Sequence, residues 1–267
     1  MEGTVLITGG SSGIGAETAR LLSDAGMTVY CASRRGIAPE CDGIIPVTLD
    51  VNDESACERT VQRILAESHR LDAVVVNAGN GIAGAIEDTS DEEARYQLET
   101  CLFGAMKTIR ACLPAFRAQG HGRIVTTTSV AAIVPLPYQG LYSAAKAALL
   151  SLTESLAIEL HGTGIQCGSV LPGDTATGFT AARKLAQAAR GEDSPYRASL
   201  QKYLKKIEHD ELSGMAPHRI ARAIVRQLKR RRMRPRVIPR IDYQAIGLLV
   251  RLVPTRLKLW IIRLLYC

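Results

Sequence analysis

Tyr142 and Lys146 stand four residues apart in the segment Leu141-Tyr-Ser-Ala-Ala-Lys146, and Ser129 precedes Tyr142 by thirteen residues. Residues four apart share one face of a helix, so the ammonium group of Lys146 can lie near the phenol of Tyr142. A nearby cation favours the phenolate and lowers the tyrosine pKa from its ordinary value near ~10 toward neutrality. The spacing therefore predicts a side-chain pair that exchanges a proton with a reacting oxygen.

A glycine-rich segment, Thr8-Gly-Gly-Ser-Ser-Gly-Ile-Gly15, follows a short apolar run and precedes a helical pattern at residues 16–25. The glycines therefore join a predicted first strand to a predicted first helix, whose free N–H groups and dipole favour a phosphate. Gly9 permits the tight turn, Gly13 lets the backbone approach the phosphates, and Gly15 allows close helix packing. The expected contacts to a dinucleotide are Gly9, Ser11, Ser12, Gly13, Ile14 and Gly15.

These segments belong to an ordered set of motifs that resembles the short-chain dehydrogenase/reductase family over roughly residues 3–240. The other members of the set are Asp50-Val51, Asn77-Ala78-Gly79, Ser129, Tyr142 with Lys146, and Pro172-Gly173 with Thr177. Each motif alone is weak, whereas their order along the chain is specific. The resemblance implies a nicotinamide-dependent oxidoreductase that acts on an alcohol or a ketone (EC 1.1.1.-).

The resemblance also implies a role for each motif residue. Tyr142 would be the general acid in reduction and the general base in oxidation, and Ser129 would steady the substrate oxygen. Lys146 would bind the nicotinamide ribose and lower the pKa of Tyr142, while the cofactor carries the hydride. Further cofactor contacts are implied at Asp50, Val51, Asn77, Ala78, Gly79, Tyr142, Lys146, Pro172, Gly173, Thr175 and Thr177.

One residue departs from the family pattern. Cys101, in Thr100-Cys-Leu-Phe-Gly104, stands where the family usually has an asparagine on the fourth helix. The family uses the main-chain carbonyl of that residue to hold a water linked to the lysine, and a carbonyl survives a change of side chain. We expect Cys101 to be a small buried packing residue in an active enzyme. A non-catalytic binding protein on the same fold is the alternative.

The end of the second predicted strand bears on the choice between NAD(H) and NADP(H). A carboxylate there would bind the ribose 2′-hydroxyl of NAD, but Ser33 holds the position and Arg34 and Arg35 follow. Guanidinium groups suit a 2′-phosphate through charge-assisted forked hydrogen bonds. The sequence predicts NADP(H), with NAD(H) and a solvated basic turn as the alternative.

With 267 residues, 46% of them hydrophobic, the chain suits one α/β domain with a substantial core. Short apolar strands alternate with helical segments, which predicts a Rossmann-type, doubly wound parallel sheet with helices on both faces. We assign residues 1–240 to this domain and residues 241–267 to a basic, apolar helical extension, in which Pro254 starts a second helix. The predicted strands are Thr4–Ile7, Thr28–Ala32, Ile44–Leu49, Ala73–Val76, Arg123–Thr128 and Ile165–Val170.

The first predicted strand begins almost at Met1, which leaves no room for a cleavable targeting peptide and predicts residence in the cytoplasm. Seven cysteines without a Cys-x-x-Cys motif indicate reduced thiols. The histidines lack ligand spacing, so no metal site is predicted. The resemblance implies a homodimer or homotetramer, paired through helices at about residues 92–115 and 142–160.

The excess positive charge lies in the tail. The formal net charge is +7, and from His218 onward the sequence has fourteen Lys and Arg residues against Asp242 as the single acid. A basic run at 229–236 is followed by apolar segments at 245–253 and 255–266. Three interpretations are open: a peripheral contact with a membrane surface, a subunit interface or lid over the substrate, and packing against the domain.

Two other partners are not expected for the tail. A membrane span would need about 18 apolar residues, and four basic residues interrupt the segment. They are Arg251, Arg256, Lys258 and Arg263. Nucleic-acid binding is not predicted either, because the basic run has no interleaved aromatic residues.

The substrate is expected to be hydrophobic, because the segment Val130–Pro137 offers an apolar wall without charge next to Ser129. Ser129 and Tyr142 would contact its reacting oxygen, and residues 179–214 would contribute specificity.

The segment Met215–Ala221, together with the tail, resembles the hydroxysteroid and retinoid dehydrogenase branch of the family. We therefore predict interconversion of an alcohol and a ketone on a hydroxysteroid or bile acid. Reduction of a long-chain acyl, sphingoid or retinoid carbonyl is the alternative.

Overall fold

The computed structural model of the chain describes residues 3–266; Met1, Glu2 and Cys267, at the ends of the two predicted regions, lie outside the described residues. The strands are β1 (Thr4–Thr8), β2 (Thr28–Ser33), β3 (Ile44–Thr48), β4 (Ala73–Val76), β5 (Ile82–Ala83), β6 (Gly122–Thr127), β7 (Ile165–Val170), β8 (Lys184–Leu185) and β9 (Arg236–Val237). The helices are α1 (Gly13–Ser23), α2 (Glu54–Ser68), α3 (Asp91–Leu98), α4 (Gly104–Gln119), α5 (Gly140–Glu159), α6 (Phe179–Ala182), α7 (Arg197–Leu212), α8 (Pro217–Lys229), α9 (Ile241–Leu252) and α10 (Thr255–Tyr266).

Seven parallel strands form the central sheet in the order β3-β2-β1-β4-β6-β7-β9. The chain builds outward from β1 to β3, returns to the middle, and then builds in the other direction from β4. The carboxyl ends of β1 and β4 therefore lie side by side where the strand order reverses, which is where open α/β sheets bind ligands. Strands β5 and β8 form a separate parallel pair.

Both faces of the sheet are covered by helices. Alternate residues of β1 point to opposite faces: Leu6 joins one buried cluster, and Val5 and Ile7 join the other. The first cluster packs against α2, α4 and α5, and the second against α1 and α8. Burial on both faces explains why the strands read as continuous apolar runs.

The fold prediction is confirmed. All six predicted strands are present, and none of their ends is displaced by more than one residue. The two-residue strands β5, β8 and β9 were not predicted, because so short a pairing leaves no pattern in the sequence. Helix α10 begins at Thr255, directly after Pro254, as predicted. Helix α9 begins at Ile241, after the boundary placed at residue 240; the division into two regions itself stays a prediction.

The basic run lies near the amino ends of the strands, and the tail helices lie beyond their carboxyl ends. The carbonyl groups of Arg230 and Arg231 accept hydrogen bonds from Arg123 and Gln166, which stand near the amino ends of β6 and β7. Helix α9 starts beyond the carboxyl end of β9. Within residues 3–266, no helix combines the length and the apolar character that crossing a membrane requires.

Gly15, in the first turn of α1, lies against the turn that follows β1. A Cβ there would overlap the carbonyl oxygen of Gly9 and lie 2.8 Å from Nδ2 of Asn77. We expect Gly15→Ala to destabilise the fold by about 1–3 kcal/mol and to weaken dinucleotide binding, because the turn must shift. Thermal denaturation and cofactor titration measure both effects. Gly178→Ala is the control, since nothing lies within 4 Å of that Cβ; equal behaviour of the two variants would contradict the prediction.

Candidate active site

Hydrogen bonds between Thr8 and Asn77 join the carboxyl ends of β1 and β4. The Thr8 hydroxyl accepts from the backbone N–H groups of Asn77 and Ala78, at 3.1 and 3.2 Å. The Asn77 side-chain amide donates to the carbonyl oxygens of Thr8 and Gly9, at 3.3 and 3.1 Å. These bonds fix Gly9, whose φ of 67° suits glycine, and so set the path of the turn into α1.

The amino terminus of α1 is open to a ligand. Its N-cap residue, Ser12, makes no side-chain capping bond, and the first turn of α1 contains no acidic residue. Gly13 has a φ of 55°, and a Cβ there would lie 3.2 Å from Cβ of Thr177. The unsatisfied N–H groups and the helix dipole at this end fit a pyrophosphate, as the glycine pattern predicts.

One cavity of about 890 Å³ extends from the glycine turn to the tail helices. Of the predicted site residues, Gly15 alone is absent from its walls, which agrees with the packing role predicted for it. The predicted residues that line it are Gly9, Ser11, Ser12, Gly13, Ile14, Ser33, Arg34, Arg35, Asp50, Val51, Asn77, Ala78, Gly79, Ser129, Tyr142, Lys146, Pro172, Gly173, Thr175 and Thr177.

Two other wall residues, which the sequence reasoning missed, give a further indication of a bound group. Asn52 and Thr127 both line the cavity, and the Oδ1 of Asn52 and the Oγ1 of Thr127 are buried without a partner in the described part of the chain. Buried polar atoms of this kind are normally satisfied, so they fit a ligand that supplies hydrogen bonds. Together with the open helix end, they make the cavity suitable for a nicotinamide dinucleotide.

Tyr142 and Lys146 lie on one face of α5, as their spacing predicts. The Nζ of Lys146 is 5.7 Å from the centre of the Tyr142 ring and donates a 3.0 Å hydrogen bond to the carbonyl oxygen of Thr127. Lys146 is buried, and this burial lowers its pKa because the charged form loses hydration. The lysine is therefore held rigidly at the base of the cavity beside the phenol.

Burial also dominates the ionisation of Tyr142. It raises the pKa of the phenol above its ordinary value, and a hydrogen bond with the Ser129 side chain opposes that shift. Ser129 is itself oriented, because its Oγ accepts a 3.0 Å bond from the backbone N–H of Ala131. Ser129 and Tyr142 thus converge on one point, with the phenol in its neutral, proton-donating form. A lowering of the Tyr142 pKa by Lys146 stays a prediction.

Cys101 lies in a π-helical segment, Glu99–Phe103, that precedes α4 and not within a regular fourth helix. Its side chain is buried, as expected, and its sulfur also makes polar contacts. The Sγ lies 3.3 Å from Oδ1 of Asn80 and accepts a 3.2 Å bond from Nε2 of Gln97. In the π-turn the N–H of Gly104 bonds to the carbonyl of Glu99, a wider turn of the kind that is frequent at functional sites.

The tail helices form one wall of the cavity. The sequence had left three interpretations of this tail open. The Tyr243 hydroxyl donates a hydrogen bond to the carboxylate of Asp174, and its ring covers Gly173 so closely that a Cβ there would overlap it. The tail residues that line the cavity are Tyr243, Ile246, Leu249, Val250, Val253, Lys258, Ile261, Ile262, Leu265 and Tyr266. The helical spacing of the apolar residues was the only signal in the sequence that could have identified this wall. No signal in the sequence identified Tyr243.

A second group of residues missed by the sequence reasoning lies behind Tyr142. Arg183 and Glu211 form a salt bridge with side chains only 3% and 13% exposed, and the Thr180 hydroxyl donates to Glu211 at 2.7 Å. The Arg183 guanidinium stacks 6.0 Å from the centre of the Phe179 ring, which lies 5.5 Å from the ring of Tyr142. Glu211 reaches the cavity wall. Phe179 therefore lies between this salt bridge and the Tyr142 ring.

The doubly wound sheet, the open helix end at its reversal point and the Ser129, Tyr142 and Lys146 cluster define a Rossmann-type oxidoreductase site. Residues 3–188 match the family described as short chain dehydrogenase, so the chain belongs to the short-chain dehydrogenase/reductase family of nicotinamide-dependent enzymes.

Relatives extend this match over most of the chain. A 3-ketodihydrosphingosine reductase of Bacteroides thetaiotaomicron is 36% identical over 227 residues, covering 85% of this chain and 84% of the relative. The crystal structure of a short-chain dehydrogenase from Streptomyces avermitilis superposes with a TM-score of 0.83 at 30% identity, over 94% and 92% of the two chains. A Burkholderia phymatum family member in complex with NAD superposes with a TM-score of 0.80 at 24% identity, over 93% and 92%.

The raised pKa of Tyr142 predicts different pH profiles for the two directions of the reaction. Reduction needs the neutral phenol, which persists to higher pH than usual, so its rate should stay level between about pH 6 and 9. Oxidation needs the phenolate, so its rate should rise steadily over the same range. Steady-state rates with a saturating cofactor measure both profiles.

Tyr142→Phe should lower both rates by at least about 100-fold, because it removes the proton donor. Tyr196→Phe is the control, since that hydroxyl bonds to Glu87 outside the cavity. A reduction rate that falls with an apparent pKa near ~7 would show that Lys146 and the cofactor outweigh burial, and would contradict the expected profile.

Proposed function

We propose that the protein reduces the ketone of a long-chain sphingoid base to a secondary alcohol, using NADPH. The observation that carries this proposal is the cavity itself, which joins the Ser129 and Tyr142 hydroxyls to an apolar wall from the tail helices and to the Asp174 carboxylate. The Bacteroides thetaiotaomicron relative, a 3-ketodihydrosphingosine reductase, is consistent with it. It supports the sphingoid alternative better than the hydroxysteroid expectation.

The proposed chemistry assigns one task to each side chain. When bound, the cofactor supplies the hydride to the carbonyl carbon. The Tyr142 hydroxyl donates its proton to the oxygen that gains negative charge, and the Ser129 hydroxyl donates a hydrogen bond to the same oxygen. Lys146, held by Thr127, places its positive end beside the phenol and favours the phenolate left after proton transfer.

The apolar wall suits a hydrocarbon chain. Val134 and Leu136 face the cavity from the loop before α5, and Ile246, Val250 and Ile262 face it from α9 and α10. Each methylene transferred from water to such a surface is worth about 0.8 kcal/mol. A chain of many methylenes would therefore bind tightly without any directional contact.

Asp174 is the group proposed to distinguish an amino ketone from other long-chain ketones. Burial raises the pKa of this carboxyl, and the Tyr243 hydroxyl is its hydrogen-bond donor, while Arg240 and Lys206 act on it only from a distance. An ammonium group on the substrate would neutralise a carboxylate that is costly to keep charged. The Glu211 carboxylate is already neutralised by Arg183.

The residues at the mouth of the cavity are the basis for the proposed preference for NADPH. Arg34 and Arg35 are exposed and line it, and the Ser33 hydroxyl is engaged with the backbone of Ile37 at 3.1 Å, where it closes the turn. Two guanidinium groups without a carboxylate at the strand end favour a 2′-phosphate.

The oligomer expected from the family is proposed to form through α4 and α5. Ile158 of α5 is 77% exposed, which agrees with a surface that a second copy would cover.

Replacing both Arg34 and Arg35 with Ala should weaken NADPH use by about 10- to 100-fold and leave NADH use nearly unchanged, because charge-assisted bonds to the 2′-phosphate are lost. The ratio of kcat/KM values for the two cofactors measures this. Arg59→Ala, on α2, is the control for removal of a surface guanidinium. A wild-type preference for NADH would overturn the NADPH assignment.

Asp174→Asn should lower kcat/KM for a 3-keto sphingoid base by about 10- to 100-fold, because the carboxylate that faces the ammonium is lost. The N-acetylated base and a 3-ketoacyl thioester of equal chain length should be affected little, since neither carries an ammonium at that position. Glu208→Gln, an exposed residue of α7, is the control for loss of a negative charge. Equal losses on all three substrates would contradict the role of Asp174, and faster turnover of a steroid ketone would overturn the proposed substrate.

A further inference from the structure

Helix α9 has two apolar faces, and only one of them faces the cavity. Tyr243, Ile246 and Val250 line the cavity. Ile241, Leu248 and Leu252 follow the helical spacing on the opposite face, where they are 81%, 62% and 74% exposed. Large apolar side chains left in water along one helical stripe indicate a surface that has a partner.

Helix α10 repeats this arrangement with positive charge added. Lys258, Ile262 and Leu265 line the cavity, whereas Arg256, Trp260 and Arg263 lie on the opposite face with spacings of four and three residues. Leu257 and Leu264 flank this outer face, and both are exposed. The structure thereby places Lys258 on the cavity side of α10, away from Arg256 and Arg263.

The outer faces of α9 and α10 carry almost no negative charge. Asp242 is the last acidic residue in the sequence, and its carboxylate pairs with Nε of Arg240 at 2.8 Å. A second copy of the same surface would bring Arg256 and Arg263 against like charges, which opposes self-association. The complementary surface is anionic with an apolar interior.

We propose that the outer faces of α9 and α10 bind the surface of an anionic lipid bilayer. Leu248, Leu252 and Trp260 enter the acyl boundary, and Arg256 and Arg263 contact the headgroups. The inner faces of the same helices line the cavity, so a bilayer bound to the outer faces lies next to the cavity wall. This interaction surface does not depend on which ketone is reduced.

The basic run does not belong to this surface. Arg231 and Arg232 are exposed beside the amino ends of β6 and β7, whereas α9 and α10 lie beyond the carboxyl ends of the strands. The contact is therefore local to the tail helices, although most of the chain's excess charge lies near the run. This separation supplies a matched control.

Trp260 is the single tryptophan of the chain and is 56% exposed, so its fluorescence reports on the outer face directly. The full-length protein is titrated with vesicles of phosphatidylcholine alone or mixed equally with phosphatidylglycerol. We expect the Trp260 emission to shift to shorter wavelength with the anionic vesicles only, and the protein to sediment with them. Raising the salt concentration should weaken binding, because screening reduces the headgroup attraction.

Arg256→Gln/Arg263→Gln should weaken vesicle binding by about 10-fold or more, since each basic residue near the surface contributes about 1 kcal/mol. Arg231→Gln/Arg232→Gln removes the same charge and should leave binding unchanged. Leu248→Ser/Leu252→Ser should also weaken binding to the anionic vesicles, because these side chains supply the apolar part of the contact. NADPH affinity and the thermal midpoint verify that each variant is folded.

The proposal is overturned if Trp260 emission is unchanged by anionic vesicles, if both arginine pairs have equal effects, or if the emission shifts with protein concentration without lipid, which would indicate a second copy. The vesicle assay contains no ketone and requires no turnover. Its failure is therefore distinct from failure of the proposed reductase activity, which is measured with dispersed substrate.

Discussion

The amide of Asn77 is the interaction on which the rest of the site depends. It bonds to the carbonyls of Thr8 and Gly9 and so holds the ends of β1 and β4 at a fixed separation. The glycine turn, the direction of α1 and the position of Gly15 all follow from that separation. Two directional hydrogen bonds from one side chain specify the arrangement of its neighbours more sharply than an apolar contact does. The open amino end of α1 is consequently aimed at the cavity before any ligand binds.

Burial pushes the titratable groups of the cavity toward their neutral forms. The pKa values of Tyr142 and Asp174 are raised and that of Lys146 is lowered, in each case mainly by loss of hydration. Arg183 and Glu211, beside them, form a salt bridge with little exposure to solvent. Ligands that bring phosphate or ammonium groups therefore change the protonation of the site as they bind.

The sequence predicted the sheet and the closeness of Tyr142 to Lys146 because both leave local patterns. Strands buried on both faces read as apolar runs, and Tyr142 and Lys146 fall at helical spacing. The Arg183–Glu211 pair and the contact of Tyr243 with Gly173 leave none, since tertiary packing alone brings those residues together. The tail was ambiguous for a different reason: helices that are apolar on two sides show no single hydrophobic face. The π-turn around Cys101 was missed because its residues are typical of an ordinary helix.

The Tyr243 ring rests on Gly173 so closely that a methyl group at residue 173 would displace it. The position of the tail therefore depends on the loop that contains Gly173. This glycine is also expected to contact the cofactor. The contact of Tyr243 with Gly173 couples two regions of the chain that would otherwise change independently. If this tail were transplanted onto a relative with alanine at the position of Gly173, the Tyr243 ring could not pack in the same place. Loss of the tail would remove this constraint on the residue in the loop. Inheritance of the two regions is therefore expected to be joint.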